Sequence, residues 1–220
     1  MKMLRTIKLN PNNTPQASII ILHGLGSSGY DFADIAKQLN LPPELNVRFV
    51  LPHAPTIPVQ YANGAKMRAW FDIINLSDQS PEDEIGIRKT QLLIEDLITH
   101  ELEQNIPSEK IILAGFSQGG AMALHCGLRY KKKLAGILIL SSWLPLMRTV
   151  IKEQSEANKT TPIMMMHGNQ DNIVPLAWGK KSCDYLKQID YNVVLNTYTM
   201  QHSICSNELA DIGQWLKKLL

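Results

Sequence analysis

The sequence predicts an α/β fold built on a mostly parallel, doubly wound sheet flanked by helices, in one domain spanning residues 1–220. Two observations carry that reading. Short apolar runs rich in β-branched residues recur along the chain, separated by stretches with helical periodicity. The runs are also apolar nearly throughout, as in Ile137-Leu138-Ile139-Leu140, which suits strands covered on both faces rather than on one.

Taken in order, Arg5–Leu9 reads as an antiparallel edge strand and Ala17–Leu22 as the first long strand. A helix over Tyr30–Leu39 follows, then a strand at Val47–Leu51. Ile87, Ile94, Leu97 and Ile98 form the apolar stripe of a longer helix ending near Asn105. The strand Ile111–Ala114 leads into Gln118–Tyr130, a helix apolar almost all round and therefore expected to be buried. Gly136–Leu140, Ile163–Met166 and Val193–Tyr198 are three further strands, with a helix carrying Asp184 between the last two. The last helix covers about Asn207 to Leu220, with Leu209, Ile212, Leu216 and Leu219 on one face. Ser206 is its expected N-cap, and Lys217 and Lys218 suit its negative C-terminal end. Strands alternating with helices imply right-handed crossovers, and ligands in such sheets bind beyond the carboxyl ends of the strands.

Composition narrows the function. With 45% apolar and 19% charged residues, the chain has ample material for a core. A net charge of +2 offers no dense basic patch, so nucleic acid is not an expected partner. Cys126, Cys183 and Cys205 are odd in number and lack CxxC spacing, which argues against a disulfide framework or a zinc site and for a reducing compartment. Met1–Leu9 has no continuous apolar stretch, and no segment approaches the roughly 20 apolar residues of a membrane span. A cytoplasmic protein without an integral membrane segment is expected.

The chemistry is read from strand ends. Gly115-Phe116-Ser117-Gln118-Gly119 is a G-x-S-x-G set between a strand and a buried helix, the context that a nucleophile elbow requires. Glycines flank the serine because strand and helix nearly touch there. A serine hydroxyl attacks only when a base removes its proton. Of six histidines, His100 and His125 fall inside helices, and His53 lies in a rigid Pro-His-Ala-Pro turn. His23 and His167 precede glycines at strand ends, where they can bond loop backbone. Only His202, after the last strand, comes late enough for the chain order Ser…Asp…His of an α/β-hydrolase. Asp171, between the two and beyond Ile163–Met166, is the expected partner that orients the histidine. One oxyanion donor is expected from the Gln118 N–H and a second from His23-Gly24-Leu25-Gly26. That glycine loop lacks both G-x-G-x-x-G and a Walker lysine, so it does not read as a nucleotide cradle.

With these residues in place, the chain resembles the acyl-protein thioesterase/carboxylesterase (lysophospholipase) family of small α/β-hydrolases. The markers are His23-Gly24-Leu25-Gly26, Arg68-Ala69-Trp70-Phe71-Asp72-Ile73, Glu82-Asp83-Glu84, Gly115-Phe116-Ser117-Gln118-Gly119-Gly120, Leu140-Ser141 with Trp143-Leu144-Pro145, and His202-Ser203. The resemblance implies a fold without a large cap domain, a triad of Ser117, Asp171 and His202, and oxyanion amides from Leu25 and Gln118. It also implies an acyl groove near Leu76 and Trp143, whereas Trp70 and Phe71 read as core aromatics. Asn172 departs from a proline frequent after the triad aspartate, and Ser142 from a frequent Gly or Cys.

The expected activity is hydrolysis of carboxylic esters through an acyl-enzyme, lysophospholipids included, with protein S-acyl thioesters as the alternative substrate. A catalytically silent binding module would lack a triad residue, and all three are present. No metal, flavin or nucleotide is implied. An exposed stretch around Ile73–Leu76 offers a surface for a weak homodimer or for membrane docking.

Overall fold

The computed structural model describes residues 4–75, 77 and 80–220. Seven strands form one sheet: β1 (Thr6–Leu9), β2 (Ala17–Leu22), β3 (Val47–Pro52), β6 (Ile111–Phe116), β7 (Gly136–Leu140), β8 (Ile163–Gly168) and β9 (Val193–Tyr198). Their spatial order is β1-β3-β2-β6-β7-β8-β9, parallel except for β1, which runs antiparallel to β3. The hairpin β4 (Thr56–Val59) and β5 (Ala65–Arg68) stands apart as a two-stranded ribbon. Its turn is closed by Asn63 and Gly64, both at positive φ, as a tight hairpin demands.

Among the described residues, α1 (Ala33–Gln38), α2 (Glu84–Glu103), α3 (Gln118–Arg129), α4 (Val150–Glu153) and α5 (Leu176–Gln188) lie between strands, and α6 (Ser206–Leu219) follows the last one. The strand residues alternate between two cores. Ile20, Leu22, Leu113 and Ile139 pack under α2, α3 and α5, whereas Ile19, Ile21, Ile112 and Leu138 pack under α1 and α6. This two-sided burial is why the strands read as continuous apolar runs. All twelve residues of α3 are buried. The stripe Ile87, Ile94, Leu97 and Ile98 of α2 is at most 2% exposed. Among the described residues, no helix is long and apolar enough to cross a membrane.

Three local expectations change. The Tyr30–Leu39 helix is split, with a 3-10 turn at Gly29–Phe32 preceding α1. Asp31 caps that turn, its carboxylate accepting from the Ser28 N–H at 2.8 Å. In α6, Ser206 is the first helical residue rather than the cap. Cys205 occupies the N-cap, with no side-chain capping bond. Finally, Ile73 is a core residue, so the apolar surface expected around Ile73–Leu76 reduces, among the described residues, to Ile74.

After β2 the chain moves to β3 on one side, and later to β6 on the other. The switch in direction falls between β2 and β6, whose carboxyl ends carry His23-Gly24-Leu25 and Ser117.

One buried acid in α6 makes stability depend on pH. Glu208 is fully buried, and burial raises its pKa to about 7, with the Cys205 N–H offsetting only part of that cost. The folded value lies above the unfolded one, so the native state holds the proton longer. Stability therefore falls as pH rises from the unfolded value through about 7. Glu208→Gln, neutral throughout, should match the wild type in Tm near pH 5. By pH 8 it should exceed it by roughly 1–3 kcal/mol in denaturant titrations.

Candidate active site

The turn from β6 into α3 shows why its sequence must be so small. Ser117 sits at φ 54°, ψ −123°, strained for a residue with a side chain. A β-carbon at Gly115 would lie 2.3 Å from the Gly119 carbonyl oxygen, and one at Gly119 would lie 2.1 Å from the Leu22 oxygen. One at Gly120 would meet Ser142 Cβ at 2.7 Å. The turn is tied down by bonds that strand periodicity does not reveal. The Ser117 N–H donates to the Leu140 oxygen at 2.9 Å, and the Ser117 carbonyl accepts from Ser142 Oγ at 2.6 Å and from the Ala121 N–H at 3.0 Å. Ser142 thus braces the elbow.

The structure brings Ser117, His202 and Asp171 into one hydrogen-bonded line. His202 Nε2 lies 2.9 Å from Ser117 Oγ, and His202 Nδ1 lies 2.7 Å from Asp171 Oδ2. A carboxylate only accepts, so the Nδ1 proton belongs to the bond with Asp171 and Nε2 faces the serine as a lone pair. The Asp171 side chain is inaccessible to solvent, and the His202 side chain keeps 15% exposure. Asp171 Oδ1 accepts from the Ile173 and Val174 N–H groups, each at 2.9 Å, which leaves Oδ2 for the imidazole. Phe116 flanks His202, with ring centroids 4.7 Å apart.

Leu25 lines the same cavity as Ser117, and Gln118 follows the serine as the first residue of α3. Among the described residues, neither backbone N–H donates to an acceptor of the chain. Both loops are anchored by a short strap after β5. The Gly26 N–H donates to the Arg68 oxygen at 2.8 Å, and Trp70 Nε1 donates to the His23 oxygen at 2.7 Å. The Gln118 side chain is wholly buried; it accepts from the Trp70 N–H at 2.9 Å and donates to the Phe71 oxygen at 2.7 Å. Trp70 and Phe71 are buried, as expected for core aromatics. The role of this strap was hidden in the sequence, since only the folded backbone aligns residues 68–71 with residues 23–26 and 118. His23 is held neutral: burial lowers its pKa, Nδ1 donates to the Gly24 oxygen at 2.7 Å, and Nε2 accepts from the Ala54 N–H at 3.0 Å. His53, similarly lowered by burial, accepts from the Gly29 N–H.

A cavity of about 600 Å³ opens on Ser117 and His202. Its apolar walls include Leu25, Phe32, Ile35, Ile73, Trp143 and Val174. Trp143 is half-buried and packs edge-on against both Phe71 and Trp178. Leu76, the other residue expected at the groove, lies outside the described residues.

Comparison with known proteins agrees with this architecture. The phospholipase/carboxylesterase family model matches residues 7–220. An acyl-protein thioesterase 1 of Cryptococcus neoformans is 37% identical, covering 99% of this chain and 98% of that protein. An acyl-protein thioesterase 1 of Neurospora crassa is 42% identical over 93% of this chain and 87% of that protein. Among solved structures, Arabidopsis thaliana SOBER1 superposes with a TM-score of 0.88 at 34% identity, covering 92% of this chain and 98% of that one. Zea mays acyl-protein thioesterase 2 gives 0.86 at 29% identity, covering 97% and 98%.

Gly119→Ala tests the packing of the elbow. The added methyl must push α3 away from β2, so Tm should fall by several degrees, about 1–3 kcal/mol, and kcat/KM by at least about tenfold. Thermal melts and ester hydrolysis read the two effects.

Proposed function

The chain belongs to the phospholipase/carboxylesterase family and is a serine hydrolase of acyl esters, and from that premise we propose that Ser117, His202 and Asp171 carry the reaction. The observation that supports this most is the continuous line Ser117 Oγ···His202 Nε2 and His202 Nδ1···Asp171 Oδ2, at 2.9 and 2.7 Å.

The Ser117 hydroxyl donates to His202 Nε2, which takes the proton as Oγ attacks the substrate carbonyl. Negative charge then gathers on the carbonyl oxygen, within reach of the Leu25 and Gln118 N–H groups. Being fixed by the strap at residues 68–71, these amides need no reorganisation as the charge develops. Asp171 stabilises the imidazolium without taking its proton. His202 passes that proton to the departing alkoxide, leaving an acyl ester on Ser117. Water, activated by the same histidine, then releases the acid and restores the enzyme.

The acyl group is assigned to the cavity side lined by Ile73, Val174 and Trp143. A carboxylic ester is the first substrate class. Protein S-acyl thioesters are the second reading, favoured by relatives named acyl-protein thioesterases at 37–42% identity. Both substrates pass through the same acyl-enzyme, and they differ in what leaves.

A fluorophosphonate probe should label Ser117 in the wild type and fail on Ser117→Ala, which should keep its fold and lose at least about 10⁴ in kcat. Asp171→Asn should lose about 10³–10⁴ with KM little changed. Near-normal turnover by Ser117→Ala would end the proposal. Rates on p-nitrophenyl esters of graded length, set beside a palmitoylated peptide, decide between the two substrate readings.

A further inference from the structure

Behind the acid of this site lies a second histidine that the proton-transfer line does not use. His167 is at the end of β8, four residues before Asp171, and is 1% exposed. Its Nε2 lies 2.8 Å from the Val174 carbonyl oxygen. A carbonyl only accepts, so Nε2 carries the proton and Nδ1 is bare. The same Nε2 is 3.5 Å from Asp171 Oδ2, too long for a strong hydrogen bond but close enough for the N–H dipole to favour the anion.

Val174 links the two side chains. Its N–H donates to Asp171 Oδ1 at 2.9 Å, while its carbonyl is the acceptor for His167. The imidazole thus grips the residue that grips the carboxylate. It is itself clamped, because α5 lies directly on the ring. A β-carbon at Gly179 would sit 2.7 Å from His167 Nδ1 and 3.2 Å from its Cε1.

Resting on the assignment of Asp171 to the reaction, we infer that His167 is a positioning residue: through Val174 it fixes the Asp171 carboxylate so that Oδ2 stays aimed at His202. Charge supports the arrangement. Burial lowers the His167 pKa, only partly opposed by the Val174 bond and by Asp171. The ring is neutral and does not compete with His202 for the carboxylate. The titratable groups that act on it are Asp171, from its own loop, and His202, from the loop before α6. From the other neighbouring elements it meets Gly179 of α5, close to the Ser142 carbonyl beyond β7.

A ring that merely filled space would be replaceable by another ring, whereas positioning needs the Nε2 donor. The test compares His167→Phe, which keeps a ring and loses the donor, with His167→Gln, which offers an amide N–H in its place. His167→Phe should lose about 10- to 100-fold in kcat with KM within about twofold, as expected for a displaced orienting group. The acid limb of its kcat/KM profile should move down by about half a unit to one unit, because the His202 imidazolium loses part of its counter-charge. His167→Gln should recover most of both. In the Asp171→Asn background, His167→Phe should add little, since the two act as one unit. Should His167→Phe fail to fold, Gly179→Ala, which pushes the ring while keeping its donor, should show the same downward shift. A lowered Tm with unchanged kcat and acid limb, or full additivity with Asp171→Asn, would overturn the inference. If Asp171→Asn itself kept full activity, the failure would instead be that of the triad.

Discussion

The close approach of α3 to β2 is the contact on which the site depends. For the chain to turn from β6 into α3 so sharply, Gly119 must lie against the Leu22 carbonyl and Gly120 against Ser142. No larger residue fits at either glycine without moving the backbone. That contact leaves Ser117 at a positive φ, with its hydroxyl at the mouth of the cavity. It also sets the amide of residue 118 beside the loop that leaves β2. The strain of the elbow is offset by the bonds its own backbone makes to Leu140, Ser142 and Ala121.

Around this turn, neutral buried groups hold charged or reactive ones. His23 and His167 each bond backbone, and each is kept uncharged by burial. Their protons lie on opposite nitrogens, Nδ1 in His23 and Nε2 in His167, fixed by the carbonyl each one meets. Gln118 spends both ends of its amide on the Trp70–Phe71 backbone. Backbone bonds thus fix the frame of the site, while the His202 side chain stays 15% exposed beside an Asp171 side chain that is wholly buried.

Much of this was legible in the sequence. Central strands were visible because a sheet covered on both faces selects unbroken apolar runs. Ser117, Asp171 and His202, which the structure joins in one hydrogen-bonded line, stood out in the sequence because each follows such a run. What escaped detection was either short or three-dimensional. The β4–β5 hairpin is exposed, is interrupted by Pro58 and has no apolar run; Asn63-Gly64 was its one signal. The 3-10 turn before α1 is capped by Asp31 through a local bond that periodicity does not register. Ile73 looked exposed by its place in a loop, yet it closes the core beneath the cavity. The bracing by Ser142 and the hold of His167 on Val174 link residues that sequence spacing gives no reason to pair.

In the proposed reaction the acyl group passes through a covalent ester on Ser117. Rapid-quench peptide mapping by mass spectrometry during p-nitrophenyl ester turnover tests it most directly. An acyl increment should appear on the peptide holding Ser117, formed before the steady state and cleared at the rate of turnover. Turnover with the acyl group on another residue, or a Ser117 adduct too slow to lie on the reaction path, would contradict it.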